Sequence, residues 1–121
     1  MSRPKVLIVE DEFLIRMTLA EALTDDGFDV IEAETGDEAL ALLSQEEGID
    51  LLLTDVQLPG SMDGIALARA ARGRVPKLPV IYMTGRTDQF AGTGSPAPEV
   101  FIGKPYLLSD ICAAARRLIG V

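Results

Sequence analysis

Leu51-Leu52-Leu53-Thr54-Asp55-Val56-Gln57-Leu58-Pro59-Gly60 is the stretch that decides the fold. Its first four residues read as a short strand buried on both faces, and Pro59-Gly60 close it with a turn. Asp55 therefore stands at the carboxyl end of a buried strand, where open parallel sheets expose their chemistry. Moving outward, Glu10 and Asp11 follow the apolar run Val6-Leu7-Ile8-Val9. Thr84 follows Val80-Ile81-Tyr82-Met83, and Lys104 comes just after Val100-Phe101-Ile102. Five polar groups are expected to converge on one rim.

Apolar runs at roughly 5–10, 28–32, 50–54, 79–83 and 99–102 are short and rich in Val, Ile, Leu and Phe, as fully buried strands should be. Helical patterns lie between them. Ile15, Leu19, Ala22 and Leu23 repeat at helical spacing before a stop at Gly27; Ala39, Leu40 and Leu43 form a stripe over Asp37–Glu47, ended by Gly48. A third helix starts near Asp63 and carries Ile65, Leu67, Ala68 and Ala71 before Gly73 and Pro76. The last spans about Leu107 to Ile119, with Leu108, Ile111, Cys112, Ala115 and Leu118 inward. Strand alternating with helix implies right-handed crossovers and a doubly wound parallel α/β domain with helices on both faces. Residues 86–98, where a fourth helix belongs, contain two glycines and two prolines in their second half. At most a turn or two of helix and then a mobile loop are expected there.

With 121 residues, 48% of them hydrophobic and 25% charged, the chain has the size and composition of one soluble domain with a real core. A net charge of −8 disfavours nucleic acid, which needs clustered Lys and Arg; no direct DNA binding is expected. No apolar stretch approaches the ~18 residues of a spanning helix, and no signal-peptide core follows Met1, so no membrane partner and a cytoplasmic location are expected. The chain stops one residue after Gly120, which is read as a single domain over residues 1–121 without an effector domain. The absence of histidine removes Ser-His-Asp triads, Cys-His pairs and imidazole-held metals, and the single Cys112 has no disulfide partner within the chain. Cys112 itself reads as a small core side chain.

Taken singly, an acidic residue at a strand end is more often a turn former or helix cap than a ligand, and Asp11 is also a candidate cap for the first helix. Coincidence across strands changes the balance. Three gathered carboxylates repel unless a cation neutralises them, and oxygen donors suit a hard ion such as Mg2+. A carboxylate beside such an ion can attack phosphorus to give an aspartyl phosphate. Lys104 would then pair with a phosphoryl oxygen, and the Thr84 hydroxyl would donate to another. The Lys104-Pro105 bond is expected to be cis.

With Val-Glu-Asp-Glu at 9–12, Thr54-Asp55 with Leu58-Pro59, Asp63-Gly64, Met83-Thr84-Gly85 and Lys104-Pro105-Tyr106 in order over essentially its whole length, the chain closely resembles the receiver domains of two-component response regulators. The resemblance implies a flavodoxin-like sheet of order 2-1-3-4-5. It implies that Asp55 accepts a phosphoryl group from a sensor histidine kinase or a histidine phosphotransfer protein. Glu10, Asp11, Asp55 and the Gln57 backbone carbonyl would hold Mg2+, and Thr84 and Lys104 would bind the phosphoryl group. A stand-alone response regulator is then expected, a phosphoacceptor rather than an enzyme. It would be a monomer or a phosphorylation-dependent dimer and would signal through the fourth helix, fifth strand and last helix.

Departures from the family pattern are local. The interval from Asp55 to Gly64 is one residue longer, through Gly60-Ser61-Met62. Phe101 takes the place of a rotating switch tyrosine, where a buried Phe is expected to move with Thr84. Tyr82-Met83-Thr84-Gly85 and the Gly/Pro-rich segment after it resemble a receiver subgroup with a Phe-Ala-Thr-Gly type signature, with Tyr82-Met83 replacing Phe-Ala. Two rivals stay open: a pseudo-receiver that binds partners without phosphate, and an Asp-nucleophile phosphatase, which needs a second Asp where Gln57 stands.

Overall fold

A computed structural model describes residues 3–85 and 95–121. Five strands, β1 (Lys5–Val9), β2 (Asp29–Ala33), β3 (Ile49–Asp55), β4 (Val80–Thr84) and β5 (Glu99–Gly103), form one parallel sheet of order 2-1-3-4-5. The described helices are α1 (Phe13–Asp25), α2 (Gly36–Gln45), α3 (Gly64–Arg74) and α4 (Leu108–Ile119). The expected flavodoxin-like architecture is present, with strand limits within a residue or two of the apolar runs. Of the expectation for residues 86–98, positions 86–94 lie outside the described residues; Ser95 to Pro98 carry no helix and lead into β5.

Side chains alternate across the sheet with the period of two that a strand imposes. Val6, Ile8, Leu51, Leu53, Ile81 and Met83 face α1 and α4, where Leu19, Leu23, Ile111 and Ala115 meet them. Leu7, Val9, Leu52, Val80 and Tyr82 face α2 and α3, against Ala39, Leu67, Ala68 and Ala71. The central strands are sealed on both sides, which is why they read as continuous apolar runs. Cys112 is buried in the first of these layers as expected.

Three local readings need correction. Asp11 does not cap α1: the N-cap is Glu12, with no side-chain cap bond, and Asp11 is exposed beside the acidic cluster. Gly48 does not end α2, which stops at Gln45; it makes the turn into β3 at φ +76°. Phe101 is half-buried rather than buried, because β5 is an edge strand with one neighbour, and its ring stacks on Tyr82 with centroids 4.4 Å apart. By contrast Asp63 caps α3 by accepting from the Ala66 N–H at 2.8 Å, and Gly27 turns the chain out of α1 at φ +100°.

At the amino-terminal end of the sheet Arg72 of α3 binds three groups at once. Its guanidinium donates to the Leu78 carbonyl at 3.1 Å, the Pro98 carbonyl at 3.0 Å and Glu99 Oε1 at 2.8 Å. This ties the entrances of β4 and β5 to the helix. No helix among the described residues is long and apolar enough to cross a membrane.

Candidate phosphoacceptor pocket

The ladder register assembles the site. Val9 pairs with Thr54, so Glu10 comes level with Asp55 one step further along. Asp55 pairs with Met83, which leaves Thr84 one residue beyond, and Thr84 pairs with Gly103, which leaves Lys104 one beyond that. Backbone bonds continue past the ladder: Glu10 N–H donates to Ala33 O at 3.1 Å and Lys104 N–H to Thr84 O at 2.8 Å. The four strand ends therefore deliver their polar residues to one rim.

Glu10, Asp11 and Asp55 each present a carboxylate oxygen, all within 4.8 Å of one another. Glu10 and Asp55 are buried, and Asp11 is exposed. Lys104 reaches in from the loop after β5, with Nζ 2.7 Å from Asp55 Oδ2. The Gln57 N–H donates to Asp55 Oδ1 at 3.3 Å, so the Gln57 main chain lies beside the Asp55 carboxylate. Thr84 is buried at the end of β4. The Lys104-Pro105 peptide is cis, as the sequence reading expected. Glu10, Asp11, Lys104 and the Gln57 main chain thus lie around Asp55, Thr84 ends the neighbouring strand one residue beyond it in register, and Phe101 lies on β5 against Tyr82.

Burial pushes the Glu10 carboxyl up from 4.5 to about 7, against the Glu12 N–H that holds its charged form, and Asp11 and Asp55 add to the rise. Glu10 Oε2 accepts from that Glu12 N–H at 2.9 Å, whereas Oε1 is buried with no hydrogen-bond partner. The Tyr106 hydroxyl is also pushed up, by burial and then by the negative charge of Glu10 and Asp55. An orphaned buried oxygen among three crowded carboxylates is the donor set a small hard cation satisfies, so these residues fit Mg2+.

A prediction about pH follows from Glu10. Below pH 4.5 it is protonated in both the folded and unfolded chain, and above about 7 it is ionised in both. Between those limits the folded state holds a proton that the unfolded state has released, so this group makes stability fall as pH rises. In EDTA the melting temperature of the wild type should drop between pH 5 and pH 8 relative to Glu10→Gln, which cannot ionise. Mg2+ should remove most of the difference at pH 8. Identical pH profiles for the two proteins would sink this account of Glu10.

Two contributors were not singled out in the sequence. Gly64 opens α3 directly against the end of β3: its N–H donates to Val56 O at 2.7 Å, and a Cβ there would overlap the Asp55 carbonyl oxygen. Asp63-Gly64 was visible as a motif, but only the packing shows what the missing side chain avoids. Arg16, seven residues before Leu23 on α1, donates to the Glu10 carbonyl at 2.9 Å. A charged residue one place after Ile15 on a buried helix face was the available signal.

A flavodoxin-like α/β domain with a cluster of three carboxylates and a lysine at its carboxyl rim is the class these features define. The family model for the response regulator receiver domain matches residues 6–116, and the chain belongs to that family, which acts in two-component signal transduction. It is 36% identical over 121 residues to the DNA-binding transcriptional regulator NtrC of Salmonella typhimurium, covering 98% of this chain and 25% of the relative. It is 35% identical over 122 residues to the aerobic respiration control protein ArcA of Escherichia coli, covering 98% and 50%. The chain thus spans a quarter to a half of these curated relatives. Among solved structures, a response regulator receiver protein from Sinorhizobium medicae superposes with TM-score 0.90 at 26% identity, covering 99% of this chain and 97% of that one. The chemotaxis protein CheY4 of Vibrio cholerae gives 0.84 at 26% identity, over 97% and 99%.

Proposed function

We propose that residues 1–121 form one receiver domain in which Asp55 takes a phosphoryl group from a phosphohistidine on a sensor histidine kinase or a histidine phosphotransfer protein. The observation that carries this reading is the Asp55 carboxylate held between Lys104 Nζ at 2.7 Å and the Gln57 N–H at 3.3 Å, inside a cluster of three carboxylates. In the step itself an Asp55 oxygen bonds to phosphorus as the donor's P–N bond breaks, and the electron pair returns to the imidazole. Glu10, Asp11, Asp55 and the Gln57 carbonyl would hold Mg2+, which when bound supplies positive charge for the phosphoryl oxygens. Lys104 then transfers its ion pair from Asp55 to a phosphoryl oxygen, and the Thr84 hydroxyl donates to another. The domain assists its own phosphorylation by orienting these groups, without turning over a separate substrate.

Exposed apolar residues support the choice of donor. Phe13 and Leu14 follow the acidic loop and Leu107 follows Lys104-Pro105-Tyr106, so apolar surface flanks the pocket on two sides. Between them lies a groove lined by Leu14, Ile15, Thr18, Tyr106 and Leu108. Such a surface fits the apolar side of a partner helix that carries its histidine to the rim. The output surface is assigned to β5, α4 and the segment before β5, with Thr84 and Phe101 as switch residues. A groove lined by Phe101, Ile102, Gly103, Tyr106 and Arg117 runs between β5 and α4 and supports that assignment.

The test is incubation with acetyl phosphate and Mg2+ followed by peptide mass mapping. A phosphoryl increment confined to the peptide containing Asp55, and absent in EDTA, is expected. No increment under conditions that label an authentic receiver would overturn the reading.

A further inference from the structure

Arg16 belongs to α1, yet its guanidinium is spent on the edge of the pocket. The side chain is only 9% exposed. Nη1 donates to the Glu10 carbonyl at 2.9 Å, Nε to Glu32 Oε1 at 3.0 Å and Nη2 to Glu34 Oε1 at 3.5 Å. The Phe13 ring lies 5.6 Å from the guanidinium carbon. Glu32 is on β2 and Glu34 just beyond it, so one planar, permanently charged fork joins α1, the loop after β1 and the edge strand.

Burying a guanidinium is costly, and an apolar side chain of similar volume commonly serves stability as well or better. The bonds themselves point elsewhere. The Glu10 residue is gripped at both ends of its backbone, its N–H by Ala33 O at 3.1 Å and its carbonyl by Arg16. One carboxylate oxygen of the same residue is fixed by the Glu12 N–H, and the other is left free at the cluster. The Glu12 carbonyl in turn accepts from the Arg16 N–H at 2.9 Å. Arg16 thus sets the peptide plane between Glu10 and Asp11, and with it the direction in which two of the three carboxylates leave the chain.

We propose that Arg16 is a positioning residue for the cation pocket: braced on Glu32 and Glu34, it holds the Glu10–Asp11 peptide so that their carboxylates meet Asp55. The inference rests on the phosphoacceptor reading only for the identity of the ion.

The experiment compares Arg16→Met with Arg72→Met. Arg72 is also 9% exposed and also bonds two carbonyls and a carboxylate outside its own helix, but at the opposite end of the sheet. A merely structural arginine would behave alike at both sites. Mg2+ affinity is measured by calorimetry at pH 7.5, and amide hydrogen exchange at Glu12 is measured in EDTA. Arg16→Met should weaken Mg2+ binding by about 10- to 100-fold, the range for groups that orient metal ligands, and should speed Glu12 exchange. Arg72→Met should lower the melting temperature while leaving both readouts near wild type. Should Arg16→Met fail to fold, the double variant Glu32→Gln with Glu34→Gln removes the braces and is expected to move both readouts the same way.

Unchanged affinity in the Arg16 or brace variant, or an equal loss in Arg72→Met, overturns the inference and leaves the phosphoacceptor reading standing. A wild type that takes up no Mg2+ overturns both.

Discussion

Asp55→Asn protein is expected to take up no phosphoryl group from acetyl phosphate or a kinase while keeping its fold. The substitution preserves shape and leaves an amide oxygen to accept from the Gln57 N–H, which now donates to Oδ1 at 3.3 Å. What it removes is the proposed nucleophile, since an amide oxygen does not form a stable acyl phosphate. It also removes the charge opposite Lys104, whose Nζ then loses a partner at 2.7 Å but remains partly solvated. A further consequence reaches Glu10. Asp55 contributes to the rise of that carboxyl to about 7, after burial and the Asp11 contact, so the Asn variant should ionise Glu10 at lower pH. Labelling with radioactive phosphate measures the first effect; carboxyl carbon NMR titration of Glu10 measures the second. Retained labelling at the mutated position's peptide would remove Asp55 from the acceptor role.

Gly64→Ala is expected to damage fold and pocket together. The first turn of α3 lies on the Asp55–Val56 backbone, with the Gly64 N–H bonded to Val56 O at 2.7 Å. A Cβ at residue 64 would overlap the Asp55 carbonyl oxygen and come within 2.9 Å of Val56 Cα. Both obstacles are backbone at the end of a central strand, so neither can rotate aside as a side chain would. Overpacking of this kind costs about 3 kcal/mol or more, which for a domain of this length is about 10 °C in melting temperature. Relief requires α3 to lift away or the end of β3 to shift, and either moves Asp55 relative to Lys104. Phosphoryl uptake should fall even at temperatures where the variant remains folded. The contrasting substitution is Gly73→Ala on the same helix, where a Cβ meets nothing within 4 Å; it should be neutral or slightly stabilising. Equal stability of the two alanine variants would refute the close-approach argument.

Most of the architecture could be read from the chain because strands sealed on both faces leave uninterrupted apolar runs, and Leu51-Leu52-Leu53 or Val80-Ile81-Tyr82 admit few other interpretations. The pocket was legible for a related reason: residues that end parallel strands must share one rim, so the sequence alone groups Glu10, Asp55, Thr84 and Lys104. Other features were beyond the reach of periodicity. The half-burial of Phe101 depends on β5 being an edge strand, which is a property of strand order. Asp11 had the right type and place for a helix cap, but the adjacent Glu12 occupies the N-cap position, leaving Asp11 beside the acidic cluster. The need for Gly64 arises from a contact between chain segments nine residues apart, and the role of Arg16 from bonds that cross three elements. Neither leaves a repeating mark in the text.

The one-step stagger of the strand ends, Glu10 level with Asp55, Thr84 one place on and Lys104 one beyond, has an evolutionary corollary. Deleting or inserting a single residue inside β1, β3, β4 or β5 would invert the side chains beyond it and drive a charged or hydroxyl group into an oily layer. Extra residues placed after the ladders leave that geometry untouched. Gly60-Ser61-Met62 is such a permissive stretch, where Gly60 turns at φ +91° and Met62 packs against Gly36. Length variation among such domains should therefore accumulate in the connecting loops and spare the strands.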